Sequence, residues 1–241
     1  MVNLSFMTLN KFKSKQYTQK DLEKDWNTFA EYDPMWAILR DESKRGGGWN
    51  EEEFYKTGEP EVKLILNKCL ELGLPKSHMT ALDIGCGLGR LTNQLVGYFD
   101  KVTGVDISQV MLDKAKEHNP NINWVRANSL EFLGEQKIDM IMERIVLQHI
   151  EPKYAMNYVK GAIKHLSKDG LFTFMMPPSE SEEYKRHRQI AIDTRTDNPV
   201  MLMYSVSCEE VEKIISNYGG RLLEKENTGG RFPSCVYWVT K

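Results

Sequence analysis

Hydrophobic and polar positions alternate between two periods along most of this chain. Short apolar runs bounded by Gly, Asp or Asn read as buried strands, and between them apolar residues recur at the spacing of one helix face. "PEVKLILNKCLELGLP" places Val62, Ile65, Leu66 and Cys69 on one face, with Pro60 in the first turn and a stop at Gly73 and Pro75. "TALDI" then predicts a strand, "RLTNQLVGYF" a helix and "KVTGVDI" a second strand. A helix capped by Ser108 carries Met111, Leu112 and Ala115 inward. "INWVRA" and "IDMIMERI" are strands three and four. "PKYAMNYVKGAIKHL" is a helix, and Asp169-Gly170 turns the chain into a fifth strand, "LFTFMM". Ser207 and Glu210 make a capping box for a helix with Val211, Ile214 and Ile215 on its apolar face. "LLEKE" and "SCVYWVT" end the chain as an antiparallel pair added to the sheet.

Strands alternating with helices predict βαβ units and a mostly parallel sheet covered on both faces. Two segments lie outside this rhythm. Residues 1–59 form an N-terminal arm and an aromatic-rich helical cap, broken by Asp33-Pro34 and "RGGGW". Residues 179–206 are polar and longer than an ordinary connection, an insertion into the 60–241 core.

Composition narrows the function classes. Formal net charge is −2, which leaves no electrostatic footprint for a polyanion, so no nucleic-acid partner is expected. The basic stretch "YKRHRQ", Tyr184 to Gln189, reads as solvated surface. Cys69, Cys86, Cys208 and Cys235 show no metal-ligand spacing and read as reduced packing residues of a cytoplasmic protein; no metal is expected. No window approaches the ~18 consecutive apolar residues of a spanning helix, and the N-terminal apolar run is too weak for a signal peptide.

The chemistry concentrates in "TALDIGCGLGRLTNQL", a strand, an acid and three glycines. No Lys-Ser or Lys-Thr follows the glycines, so this is not a P-loop. Gly85 and Gly87 fit the first two positions of the dinucleotide pattern, but the third falls on Arg90, which disfavours a nicotinamide-dependent oxidoreductase. Arg90 itself reads as a solvated helix residue. What remains is Asp83 two residues before a Gly85, Gly87, Gly89 turn. A carboxylate there suits an ammonium or sulfonium and repels a pyrophosphate, while bare backbone N–H groups suit a small carboxylate. Asp106 ends the next strand, about 20 residues on, where an acid accepts both hydroxyls of a ribose. Amino acid, positive centre and ribose together describe S-adenosylmethionine.

At this point the residues resemble a known family, the class I S-adenosylmethionine-dependent methyltransferases. "LDIGCGLGRLT" is similar to their first motif and "VTGVDIS" to their second. "WVRANSLEF", "IDMIMERIVLQHI" and "LSKDGLFTFMMP" resemble the segments around strands three, four and five. The resemblance implies an α/β, Rossmann-like fold with a seven-stranded sheet in the order 3-2-1-4-5-7-6, the seventh strand antiparallel. It implies that Gly85, Gly87 and Gly89 shape the methionine end of the cofactor site and that Asp83 orients the ammonium group. Asp106 would hold the ribose, with Ile107 and Met111 against the adenine. Where the family often has an acid for the adenine amino group, this chain has Asn128 and Ser129; an Asn carbonyl accepts the same bond.

Methyl transfer asks for an aligned nucleophile and excluded water, and for a base where the acceptor is a hydroxyl or ammonium. His149, just past the fourth strand, is the candidate base; packing against the cofactor or capping a loop is the alternative. Glu143 and Arg144 are second-rank candidates, with a structural ion pair as their alternative. Trp26, Tyr32, Trp36 and Trp49 are candidates for a lid over the acceptor, hinged at "RGGG", against ordinary packing of a cap. The expected activity is methyl transfer to O or N of a small-molecule acceptor, leaving S-adenosylhomocysteine. A protein amine methyltransferase and a non-catalytic cofactor-binding relative are the other readings. A nucleic-acid methyltransferase is disfavoured, because the fourth strand leads into "RIVLQHI" and not an N/D-P-P-aromatic motif.

Overall fold

The structure is a computed structural model describing residues 16–180, 182–229 and 233–241. Seven strands form one sheet: β1 (Thr80–Ile84), β2 (Lys101–Asp106), β3 (Asn123–Arg126), β4 (Ile138–Glu143), β5 (Leu166–Met176), β6 (Arg221–Asn227) and β7 (Cys235–Thr240). Their order is β3-β2-β1-β4-β5-β7-β6, with β7 antiparallel to both neighbours and the first five strands parallel. This is the order expected from the resemblance.

Helices α1 (Gln19–Tyr32), α2 (Pro34–Leu39), α3 (Glu51–Lys56) and α4 (Gly58–Leu72) precede the sheet. Then come α5 (Thr92–Leu95), α6 (Gln109–His118), α7 (Pro152–His165), α8 (Glu182–Asp193) and α9 (Cys208–Asn217).

The period-two alternation of the strands sorts the core into two faces. Phe172, Phe174 and Met176 of β5 join Tyr237 and Val239 of β7 beneath α7 and α9. Leu171, Met175, Val236 and Trp238 point the other way, onto Val62, Ile65 and Cys69 of α4. The rings of Phe172, Phe174 and Tyr237 stack in a ladder at 4.7 and 4.8 Å across the centre of the first face. A third, smaller cluster holds the cap: Ala30, Phe54 and Tyr55 pack on Leu88 and Met111, so the N-terminal segment buries its apolar face at the sheet edge that carries the glycine bend.

Two local readings are corrected. The helix expected over Arg90–Phe99 is a single turn, Thr92–Leu95, because Gly97 takes φ +100° and Val96 bridges to Phe99. The stretch Tyr184–Gln189 is not wholly solvated: Arg188 lies over the Tyr204 ring, pairs with Glu180 and donates to the Met203 carbonyl at 2.7 Å. The expected N-terminal arm falls mostly on residues 1–15, outside the described residues. Among the described residues no helix is long and apolar enough to cross a membrane, and no cluster of His, Cys, Asp or Glu is arranged to hold a metal ion.

Candidate functional site

β1 and β2 run parallel and end together, which brings Asp83, the glycine bend and Asp106 to one edge of the sheet. Gly85, Gly87 and Gly89 all take positive φ (71°, 53° and 80°). Two of them are also required by close approach. A Cβ on Gly85 would lie 2.4 Å from both Val146 methyls, and one on Gly89 would lie 2.4 Å from the Trp124 ring. Glycine there lets the backbone lie bare between β4 and β3.

Asp106 is wired to this bend. Its Oδ2 accepts from the Gly87 N–H at 2.9 Å, and its Oδ1 from the Ser108 N–H at 2.8 Å. Each oxygen has two lone pairs, so both keep capacity for a further donor. Burial raises its pKa, and the backbone N–H groups oppose that rise. Asp83 is almost fully buried, with Thr92 Oγ1 donating to Oδ2 at 2.6 Å; burial raises its pKa to about 7. A carboxyl with that pKa gains most from a cation brought against it. Ile107 is half-buried and Met111 fully buried at the start of α6. Asn128 is exposed, its amide donating to Gln19 Oε1 of α1 at 3.4 Å, and Ser129 Oγ accepts from Glu131 N–H.

His149 occupies the 3-10 turn Leu147–His149 beyond β4 and is buried. Its Nδ1 lies 2.7 Å from the Leu202 carbonyl, which assigns the proton to Nδ1. Nε2 then faces the Gln148 amide at 3.3 Å, and the Trp26 ring meets the imidazole edge-on at 5.9 Å. Burial lowers the His149 pKa to about 4, so the ring is neutral above that pH. Glu143 and Arg144 do not form the ion pair considered from sequence. The Glu143 carboxylate accepts from the N–H groups of Val146, Leu147 and Met175, which commits it to backbone.

Arg144 instead reaches Glu61 of α4, as does Arg90 at 2.7 Å. Arg90 is 8% exposed, which overturns its reading as a solvated residue. Its role was hidden because Glu61 lies 29 residues away in α4, where sequence spacing says nothing about contact. Gly58 completes the joint: a Cβ there would lie 2.3 Å from the Arg90 carbonyl oxygen.

The cap folds over this edge. Trp26 packs on Phe29 and His149; Trp36 is buried beneath the guanidinium groups of Arg40 and Arg45, at 4.1 and 4.7 Å from its ring centroid. Trp49 meets Phe54 edge-on at 6.1 Å. Among the described residues, the buried indole N–H groups of Trp36 and Trp49 have no hydrogen-bond partner. Tyr32, by contrast, is 81% exposed and is not brought to the site. Its place six residues after Trp26 puts it about 240° round the helix.

Three contributors to the site were not apparent in sequence. Ile38 of α2 comes against Gly87. Asn27 of α1 accepts from Ser108 Oγ at 2.7 Å, and Tyr55 donates to the Leu88 carbonyl at 3.0 Å. The "RGGG" segment is latched: the N–H groups of Gly46 and Gly47 donate to Asp33 Oδ2 at 2.6 and 3.1 Å. A cavity of about 320 Å³ between α1 and the insertion, lined by Tyr17, Asp21, Ile192 and Arg195, shares no lining residue with the glycine bend.

Known proteins share this fold. The sequence profile of the family described as Methyltransferase domain matches residues 81–170. The chain is 26% identical over 140 residues to trans-aconitate 2-methyltransferase of Azoarcus sp. (strain BH72), covering 57% of this chain and 54% of that protein. It is 37% identical over 89 residues to the ubiquinone biosynthesis O-methyltransferase of Coxiella burnetii, covering 34% and 38%. These matches span about half the length of the curated relatives or less. Magnesium protoporphyrin IX methyltransferase from Synechocystis PCC 6803, solved with bound S-adenosylhomocysteine, superimposes with a TM-score of 0.65 at 17% identity, over 93% of this chain and all of that one. A S-adenosylmethionine-dependent methyltransferase from Clostridium acetobutylicum gives 0.61 at 18%, over 85% and 97%. Residues 81–170 thus carry a methyltransferase-domain sequence, and the chain shares the sheet order and fold of the class I S-adenosylmethionine-dependent methyltransferases.

Proposed function

We propose that this chain is a methyltransferase that uses S-adenosylmethionine to methylate an O or N atom of a small-molecule acceptor. The observation that carries the reading is Asp106 bound to the backbone of both Gly87 and Ser108 while keeping lone pairs for two more donors. The residues fit the cofactor. Asp106 would hold its ribose hydroxyls, Asp83 its ammonium group, and the bare backbone from Gly85 to Gly89 its carboxylate end. Ile107 and Met111 would pack on the adenine, with the Asn128 carbonyl and Ser129 beside the amino group. When bound, the cofactor supplies a methyl group already activated on a sulfonium. This chain's own share is to bind, to align the acceptor and to exclude water.

The cap, residues 1–59, and the insertion, 179–206, are the elements we assign to the acceptor side, with Trp26, Trp36 and Trp49 as its walls. The names of the curated relatives, which include a trans-aconitate methyltransferase and an O-methyltransferase, favour oxygen as the acceptor atom. His149 Nε2 is the atom that would take a proton from such an acceptor, in the tautomer set by Leu202. The same bond favours a second role, anchoring the insertion to the end of β4. The reading brings with it a cytoplasmic setting and no nucleic-acid partner.

Titration calorimetry on the full chain with S-adenosylmethionine and with S-adenosylhomocysteine tests the cofactor assignment. Release of S-adenosylhomocysteine with a panel of carboxylate, phenol and amine acceptors tests the activity. Absence of binding heat for folded protein would overturn the proposal, and heat without turnover on any acceptor would reduce it to a binding protein.

A further inference from the structure

Cys208 and Cys235 are separated by 27 residues in sequence, yet their sulfurs lie 3.1 Å apart. A disulfide bond is about 2.05 Å long, so closing one here asks the two sulfurs to approach by roughly 1 Å. Their surroundings differ in a way that orders their reactivity. Cys208 is half-buried and is the first residue of α9, the more accessible of the two sulfurs. Lys225, held by Glu212 at 2.7 Å, lies near enough for its charge to act on both sulfurs. Cys235 is buried, its thiol donates to Asn227 Oδ1 at 3.1 Å, and burial pushes its pKa up to about 11. The buried Tyr237 hydroxyl adjoins the pair. Cys69 and Cys86, both buried, have no such partner sulfur among the described contacts.

We propose that Cys208 and Cys235 are a reversible disulfide site that responds to peroxide. The Cys208 thiolate attacks one peroxide oxygen, the O–O bond breaks, and the leaving hydroxide takes up a proton as water. The resulting sulfenic acid is attacked by the Cys235 sulfur, which gives up its proton; the S–O bond breaks and a second water leaves. Two thiols and one hydrogen peroxide thus become one disulfide and two waters, and a dithiol reductant reverses the change by exchange. The location gives the bond a mechanical effect. Cys208 lies two residues past the end of the insertion, where Val206 N–H donates to the Pro177 carbonyl, and Cys235 opens β7 opposite Met176 at the end of β5. Oxidation bolts the root of the insertion to the sheet. The site goes beyond methyl transfer and does not depend on it.

The test treats the folded full-length chain with millimolar hydrogen peroxide, then counts thiols in denaturant and maps peptides by mass. The expected result is a fall from four thiols to two, a mass loss of two hydrogens, a linked peptide pair containing Cys208 and Cys235, and recovery of all four with dithiothreitol. Cys208→Ser should keep its three thiols through the same treatment, whereas Cys235→Ala should lose the Cys208 thiol to oxygen addition without forming a linked peptide. Four surviving thiols in the wild type, or oxygen addition at Cys208 with no linked peptide, would overturn the proposal. So would an equal loss of thiols in Cys208→Ser.

Discussion

Asp106 Oδ2 accepts the Gly87 N–H at 2.9 Å, so the tip of β2 and the bend leaving β1 are one unit. Replacing Asp106 with Ala therefore removes a charged acceptor from the ligand and a fastener from the loop together. Affinity for S-adenosylmethionine should fall by about 1.5–3 kcal/mol, or roughly 10- to 150-fold. Calorimetry reads the loss, and circular dichroism checks that the chain still folds. Unchanged affinity would place the cofactor elsewhere.

Asp83 makes binding and stability depend on pH. Its folded pKa, raised to about 7, means the native chain holds a proton that the unfolded chain has lost, from about pH 4 upward. The stability from this group is therefore full at acid pH and is lost as pH rises through 7. His149 acts in the opposite sense: its folded pKa of about 4 lies below its ordinary 6.5, so its contribution grows with pH across that window. Urea midpoints from pH 4 to 7 should climb more steeply in Asp83→Asn and fall more steeply in His149→Gln than in the parent. An ammonium-bearing ligand should also displace the Asp83 proton. Binding heats near pH 6.5 should then vary with buffer ionisation enthalpy in the parent and not in Asp83→Asn.

Gly85→Ala tests the bend itself. A non-glycine residue at φ +71° costs about 1–2 kcal/mol, and the 2.4 Å approach to Val146 adds to it. Thermal unfolding should drop accordingly, and adding Val146→Ala should restore part of the loss. A neutral Gly85→Ala would mean the loop adopts another path.

Glu61 holds both Arg90 and Arg144, joining α4 to the bend and to the end of β4. Removing one member of a largely buried charge network leaves the others unpaired, at about 3 kcal/mol. Glu61→Gln should lower the unfolding free energy from urea titration by that amount, with cofactor affinity falling as well because the joint fixes the bend.

For His149→Gln the two roles separate. A base is lost if turnover falls while cofactor affinity and proteolysis of the insertion stay unchanged. An anchor is lost if trypsin cuts near Arg195 faster and the acceptor KM rises. Turnover at neutral pH should carry no inflection from His149, because the ring is neutral well below that range.

Much of this architecture could be read from the chain before any coordinates. Alternation along "IDMIME" and "LFTFMM" marks strands because each side chain alternates between the two layers, and Asp83 and Asp106 stand at strand ends that parallel pairing must align. Contacts between distant segments left no such trace. Arg90 looks solvated until Glu61 is beside it, and Tyr32 looks like its aromatic neighbours until the helical turn carries it outward. Cys208 and Cys235 show no motif at all, since their approach depends on where α9 docks against β7.

The clasp of α1 has an implication for how the polypeptide matures. Arg195 grips Asp21 and Asp25, Asn27 meets Ser108, and Trp26 rests on His149. α1 thus depends on contacts with residues up to 174 positions downstream. Closing so long a loop is entropically slow. Docking of α1 is therefore tied to a residue of the insertion, Arg195, as well as to the core.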